Sequence, residues 1–216
     1  MGVKRFIRVA ALALPLGAMA ASSYFPEFYR IYKPEVGGWS KYALTDASGD
    51  TATLKFAVVS QVSEGHWLEM TSVSEGGSGT VGYLVSGDPA DDAHILKIRV
   101  QDEGGPLMEI DRETLRNLKA QGQQALGRPA RPIGPTVGKL QPMPDEVLEV
   151  SGRKIKCQHM VIAGAEGKSA EAWVSDEVAP FGLVKLLSGE EKVLLLDFGM
   201  GAKPALAGKA VPLSLP

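Results

Sequence analysis

The sequence predicts a mainly β protein: one long curved antiparallel sheet, a half-barrel or open barrel, with one main helix and a short N-terminal helix. From residue 39 onwards, apolar and β-branched segments alternate with turn-rich clusters such as 76–79 (Gly-Gly-Ser-Gly). In the segment Ala93–Gln101, the side chains of Leu96, Ile98 and Val100 alternate with polar ones, so one face of this strand is expected to contact water. A sheet with one wet face is typically antiparallel, and a sheet of about ten strands tends to curl.

The segment 1–20 has the pattern of a secretory signal peptide. Lys4, Arg5 and Arg8 precede the apolar run Val9–Leu16, and an A-x-A cleavage pattern ends at Ala20. The apolar run is too short to span a bilayer, which takes roughly 20 residues. We therefore predict cleavage near Ala20 and a periplasmic or secreted protein with no transmembrane segment in its mature chain.

The mature chain, residues 21–216, is expected to be a single β-rich domain. The signal segment carries three of the 23 basic residues and no acid, which leaves 20 basic and 25 acidic side chains and a net charge of −5. A net acidic chain with dispersed charges is not expected to bind nucleic acid, which requires a clustered basic surface. The single cysteine, Cys157, cannot form an internal disulfide. We predict that it is a buried free thiol, with pairing to another chain as the alternative.

Two segments favour helix over strand. In Tyr24–Tyr32, the aromatic residues recur at the spacing of one helical face, and Pro26 suits a first helical turn. This short N-terminal helix is expected to pack on the body of the protein, either as a cover for the core or as a lid over a ligand. In Asp111–Ala125, Asp111 is a candidate N-cap for the main helix.

The remaining regular segments are predicted as strands separated by glycine-rich turns. They are Trp39–Thr45, Thr51–Gln61, Trp67–Ser74, Thr80–Ser86, Ala93–Gln101, Asp145–Ser151, Lys154–Ala163, Lys168–Ser175, Gly182–Leu187 and Lys192–Phe198, with one further edge strand near Ala210–Leu213. The segment 128–144 contains five prolines and is predicted to be an extended loop, because proline cannot donate ladder hydrogen bonds.

No set of residues in the sequence indicates catalysis or a cofactor. Cys157 and His159 share one face of a predicted strand, but a zinc site needs three or four ligands and no further ligand has a suitable spacing. No G-x-S-x-G motif is present, and the acidic pairs lie in predicted turns. We predict a protein that is not an enzyme, with no catalytic residues, no metal and no cofactor.

Several short motifs resemble those of an uncharacterised family of bacterial periplasmic proteins. They are Gly38-Trp39-Ser40-Lys41-Tyr42, Trp67-Leu68-Glu69, Lys156-Cys157-Gln158-His159 and the hairpin Trp173–Lys185 with its Pro180-Phe181-Gly182 turn. The family is similar to the lipoprotein-carrier (LolA/LolB-like) half-barrels, in which a curved sheet and a helix enclose an apolar groove. This resemblance implies a binding role and assigns no catalytic residue.

Three functions are compatible with the sequence. The first is binding of an apolar ligand, a lipid or a lipoprotein in the concave face of the sheet, beneath the helix Asp111–Ala125. Its candidate lining residues are Trp39, Trp67, Leu96, Ile98, Trp173 and Leu195, although the same side chains would equally fill a closed core. The second is a protein-interaction or scaffold module that contacts an envelope partner through Arg128–Pro144. The third is a hydrolase with an unrecognised site. An open groove favours the first, a filled interior the second and a polar cleft the third.

Overall fold

The computed structural model describes residues 32–46, 48–75, 77–89, 91–102, 105–117, 140–163 and 169–213. Within them the chain forms one 13-stranded sheet. The strands are β1 (Trp39–Thr45), β2 (Thr51–Val62), β3 (Gly65–Ser74), β4 (Gly77–Val85), β5 (Ile95–Asp102), β6 (Met108–Asp111), β7 (Leu140–Pro142), β8 (Glu146–Val150), β9 (Arg153–Ala163), β10 (Ser169–Val174), β11 (Leu183–Ser188), β12 (Glu191–Gly199) and β13 (Val211–Pro212).

The sheet consists of two meanders joined side by side. Its strand order is β13-β6-β5-β4-β3-β2-β1-β12-β11-β10-β9-β7, and β8 pairs with β9 beyond the end of β7. All neighbouring strands are antiparallel except β13, which is parallel to β6. The predicted long, curved, open and mainly antiparallel sheet is confirmed.

Every predicted strand has a counterpart, and β6 and β7 are additional to the prediction. The strand β7 lies in the proline-rich segment that the sequence predicts as a loop, and Pro142 pairs with Met160 of β9. This pairing is possible because β7 is an edge strand, where a missing N–H is tolerated. The rest of the predicted loop, 128–139, lies outside the described residues.

The two predicted helices are only partly within the described residues. Residues 112–117 are helical, and the backbone N–H of Thr114 donates to Asp111 Oδ1 at 2.7 Å, which confirms Asp111 as the N-cap. The remainder of the predicted helix, from 118 to 125, and the segment 24–31 of the predicted N-terminal helix lie outside the described part of the chain. A short 3₁₀ turn, Asp92–His94, occupies the predicted start of β5.

Most of the core lies on one face of the sheet, which we call the inner face and define by Tyr42 and its cross-strand neighbours Leu54 and Leu195. These three side chains are buried in the larger apolar cluster, together with Phe56 and Phe181. Phe181 belongs to the turn between β10 and β11 and meets the ring of Phe56 edge-on, with centroids 5.0 Å apart. The turn therefore packs onto the inner face.

The opposite, outer face is covered in part by the C-terminal tail, residues 200–213. The cross-strand row Trp39–Ala57–Glu69–Gly82–Arg99 defines this face from β1 to β5. The tail is anchored on it from just before β1, where the N–H of Ala202 donates to Gly37 O, to just before β6, where the N–H of Val211 donates to Leu107 O.

Candidate functional site

The six predicted ligand-contacting residues fall into separate environments. Trp39, Trp67 and Leu96 belong to a small apolar cluster beneath the C-terminal tail, Trp173 and Leu195 belong to the larger core cluster, and Ile98 belongs to neither cluster. We call the small group the tail-covered cluster. It consists of Trp39, Ala57, Val59, Trp67, Leu84, Leu96 and Ala202.

Glu69 anchors the tail above this cluster. Only 5 % of its surface is exposed, and its two carboxylate oxygens accept hydrogen bonds from the backbone N–H groups of Ala205, at 2.7 Å, and Leu206, at 3.2 Å. A buried carboxylate requires such partners because burial without them is costly. Glu69 lies on the outer face because it is two residues after Trp67 in β3. It therefore holds the tail of its own chain through two consecutive backbone N–H groups.

Gly82 contacts Leu206, and its cross-strand neighbour Arg99 packs on Trp67. A Cβ atom at Gly82 would lie 2.8 Å from Leu206 Cδ1, so the glycine leaves the space that the leucine occupies. The guanidinium of Arg99 lies 4.1 Å from the centroid of the Trp67 ring, and its Nε donates to Glu109 Oε2 at 2.9 Å. This arrangement holds the chain's own tail, and the contacts described contain no nucleophile.

A β-bulge separates Leu96 from Ile98. Val85 pairs with Ile95 and Leu84 pairs with Lys97, so Leu96 is an extra residue and packs in the tail-covered cluster. Because of the bulge, the predicted common face of Leu96, Ile98 and Val100 is wrong at Leu96.

Ile98 instead lies on the inner face, half-buried, opposite Tyr83 and Ile110. Tyr83 is also half-buried, whereas Ile110 is buried. This end of the inner face is thus less completely covered than the part that surrounds Leu195.

The inner face around Leu195 is filled by side chains of the protein itself. Tyr42, 2 % exposed, contacts the core with its ring and donates its hydroxyl to Leu183 O at 3.1 Å. Burial raises the pKa of this phenol well above its ordinary value, which keeps it in the neutral, donating form. Tyr42 thereby closes the space between β1 and β11, so Leu195 is a core residue.

Trp173 is buried in the larger apolar cluster and also packs against a polar cluster at the β9–β10 junction. The His159 ring stacks on it with centroids 4.2 Å apart, and the Lys185 ammonium lies 4.2 Å from its ring centroid. His159 Nδ1 lies 3.0 Å from Glu146 Oε1, and its Nε2 lies 3.1 Å from Glu171 Oε2. Both contacts are hydrogen bonds when the ring carries a proton on each nitrogen. The cluster joins β8, β9 and β10.

Cys157 is a free thiol and is fully buried, as predicted. Desolvation raises the pKa of its thiol, so the nucleophilic thiolate is disfavoured. Among the described residues, no group of three or more His, Cys, Asp and Glu side chains is arranged to hold a metal ion. The same part of the chain contains no helix that is long and apolar enough to cross a membrane.

The outer face beyond the tail carries exposed leucines. Leu194, 38 % exposed, lies in β12 between its cross-strand neighbours Ala43 and Lys185. Leu196, 42 % exposed, is the extra residue of a bulge two positions further along. We call Leu194 and Leu196 the leucine patch. Lys185 and Lys192 flank it on the same face by register and alternation.

In the sequence, Glu69 belongs to the motif Trp67-Leu68-Glu69 without a predicted role, and the leucine patch was not singled out. The spacing of Trp67 and Glu69 places both on one face, and this is the signal that could have identified Glu69. In β12, the run Val193–Phe198 is apolar on both faces and indicates a strand covered on both sides. The structure instead leaves one of these faces exposed at Leu194 and Leu196.

Comparison with known proteins gives only distant structural similarity. No protein-family profile and no curated protein matches the sequence. Three solved structures are similar: MucB, with a TM-score of 0.48 and 11% identity, MucB in complex with MucA(peri), 0.44 and 14%, and the MucA/MucB complex of Pseudomonas aeruginosa, 0.47 and 16%. The alignments cover 88%, 79% and 88% of this chain but 63%, 54% and 64% of those chains. At these values, the similarity assigns neither a family nor a function.

Proposed function

We propose that the chain is an exported, non-enzymatic binding protein of the cell envelope that binds another envelope protein through the leucine patch. The observation that carries the proposal is the exposure of Leu194 and Leu196 on β12, a strand in the middle of the sheet order. Single exposed apolar residues are ordinary on protein surfaces, but neighbouring exposed leucines on a central strand are typical of an interaction surface.

The shape and charge of the surface favour a protein partner over a small ligand. Small-molecule sites are concave and enclose most of the ligand, whereas the leucine patch lies on the outer face of the sheet. Lys185 and Lys192 border the leucines, so the complementary partner presents apolar side chains flanked by carboxylates. The tail covers the β1–β6 part of the same face, which leaves the β12 part for the partner.

Site-specific photo-crosslinking in cells tests this proposal. A photoreactive residue at position 194 should trap one envelope protein, and Lys192→Glu should reduce the yield because it reverses a bordering charge. The same probe at Val73 is the control, because Val73 is also exposed on the outer face but lies in β3. Equal adducts from positions 194 and 73 would contradict the proposal.

The trapped protein, once purified, allows a quantitative test. Leu194→Asp should weaken its binding by about tenfold or more, as expected for an apolar contact near the centre of an interface. Val73→Asp should leave the affinity unchanged. Both variants should retain the wild-type melting temperature because both side chains are already exposed.

A second candidate function, carriage of an apolar ligand, is favoured by the half-buried Ile98 and Tyr83 on the inner face. For this function, Ile98→Glu should reduce uptake of a fluorescent fatty-acyl probe more than it reduces thermal stability, because the carboxylate would be desolvated only in the complex. Native mass spectrometry should then detect retained lipid. Lipid retained by the wild type and by Leu194→Asp alike, without a cross-linked protein, would favour this second function over the first.

A further inference from the structure

Within the described part of the chain, strand β8 lies at a free edge of the sheet. Among the described residues, it pairs only with β9, and its Val147 side chain is 64 % exposed. The opposite edge is different, because β13 of the tail pairs with β6 there. An edge strand with unpaired N–H and C=O groups is a template for pairing with another strand.

The β8–β9 hairpin presents this edge rigidly. Its two-residue turn, Ser151-Gly152, has φ angles of 49° and 74°, as a tight hairpin turn requires. Ser151 Oγ donates to Leu196 O at 2.7 Å, and Arg153 Nη2 lies 2.7 Å from Asp197 Oδ1. Since the hairpin tip is fixed to β12, little ordering is required before the edge pairs with a partner strand.

The hairpin geometry determines which backbone groups are free. Val150 and Arg153 flank the two-residue turn, and residues in these positions exchange both of their N–H···O bonds. The pattern alternates, so Leu148 also bonds inward to β9. The N–H and C=O groups of Val147 and Glu149 therefore point to the free edge.

The outward direction of these backbone groups and the positions of the charged side chains together favour one register for the pairing of two β8 strands. In an antiparallel pair centred on Leu148, Val147 of each copy faces Glu149 of the other, and their free backbone groups form four hydrogen bonds. The same register places Glu146 opposite Val150 and Leu148 opposite Leu148. It brings no like charges directly opposite each other.

Two neighbouring registers would also allow these outward backbone groups to form hydrogen bonds, but the charges that they bring together are less favourable. Centring the pair on Glu149 places two carboxylates directly opposite each other. Centring it on Val147 places Glu149 opposite Asp145. Like charges directly opposite across strands are destabilising, and of the three registers only the one centred on Leu148 places no like charges directly opposite each other.

We propose that two copies of this chain associate through antiparallel pairing of their β8 strands, centred on Leu148. The dimer contains a sheet that continues from one copy into the other. The interface uses other residues than the leucine patch, and the proposal does not depend on the proposed function.

Two substitutions at Val147 test the register. Val147→Glu places two glutamates opposite the two copies of Glu149 and should weaken the dimer by about tenfold, whereas Val147→Lys should tighten it by a similar factor. Within one chain the effects are reversed, because position 147 lies opposite Lys156. Val147→Glu should therefore be at least as stable as Val147→Lys, which separates association from folding.

A backbone test uses Val147→Pro. The N–H of Val147 points to the free edge, so proline removes bonds of the dimer while leaving those of the hairpin. Val147→Thr keeps both the N–H group and the β-branched shape and is the matched control.

Sedimentation equilibrium of the mature chain over a concentration series measures each dissociation constant, and circular dichroism checks the fold. We expect a concentration-dependent wild-type dimer that persists in Val147→Thr and is lost in a folded Val147→Pro. A wild-type monomer at all concentrations, or equal dimer affinities for Val147→Glu and Val147→Lys, would overturn the proposal. If Val147→Pro does not fold, the comparison between the glutamate and lysine variants decides.

Discussion

Replacing Glu69 should release the C-terminal tail while the sheet remains folded. In Glu69→Gln the side chain keeps its size, but its amide can accept from one of the N–H groups of Ala205 and Leu206 and presents its own NH₂ to the other. The change removes one hydrogen bond to a charged acceptor and weakens the second. Such bonds contribute about 1.5–3 kcal/mol each.

The tail can rehydrate when it opens, so the released N–H groups do not remain buried without partners. We therefore expect a loss of about 2–3 kcal/mol, below the full sum for two bonds because the second bond is weakened rather than lost. That difference corresponds to a rise of about 30- to 150-fold in the open population and in the exchange rates of the amides of Ala205 and Leu206. Trypsin cleavage after the exposed Lys209 should accelerate in parallel.

Hydrogen exchange measured by mass spectrometry on 200–213 reads out the change, and the exposed Glu75→Gln is the control. A chain that ends at Ala202 provides the second arm, because without the rest of the tail Glu69 has no N–H partner to lose. There, Glu69→Gln should cause little or no loss of stability. An equal loss with and without the tail, or unchanged exchange at Leu206, would refute the anchoring role.

Three further predictions concern other parts of the chain. Gly65→Ala should lower the melting temperature strongly because its Cβ would lie 2.0 Å from Val85 O. In Gly77→Ala the added Cβ meets no atom within 4 Å, so the melting temperature should fall far less. Similar melting curves for the two variants would disprove the clash. Cys157 should react slowly with thiol reagents in the native state. Burial raises the pKa of its thiol, so the contribution of the thiol to stability is complete at a pH below its pKa in the unfolded chain and is lost as the pH rises through its pKa in the folded protein. Rapid labelling at neutral pH would contradict the buried position of the thiol. The exported protein should begin at Ala21, and mass spectrometry that finds residues 1–20 still attached would exclude this.

Much of the fold could be predicted because strand signals are local. Alternation and glycine-rich turns located the strands from Trp39 to Phe198 to within a few residues. Such local signals did not identify the short strands β6 and β7, because these strands are defined by their pairing with β5 and β9. Pro142 in particular reads as a loop residue and is accepted in β7 only because that edge needs no N–H from it.

The candidate site was less predictable because alternation assigns a residue to a face but does not say what covers that face. Trp39 and Trp67 are apolar and were expected to line a groove, whereas they pack beneath the C-terminal tail, whose path depends on Glu69. Leu96 lies on the face opposite to the predicted one because a bulge between β4 and β5 shifts the register, and the sequence of this segment carries no local signal for a bulge.

The position of β1 beside β12 has a consequence for how the chain folds. Within β1–β6 and within β8–β12, every strand pairs with its neighbour in sequence, so each half can zip up from short hairpins. The β1–β12 seam instead joins residues such as Tyr42 and Leu195 that are far apart along the chain, and closing so large a loop is entropically costly. We expect the seam to order last. Since Tyr42, Leu54 and Leu195 meet there, the core becomes continuous only when the two halves dock.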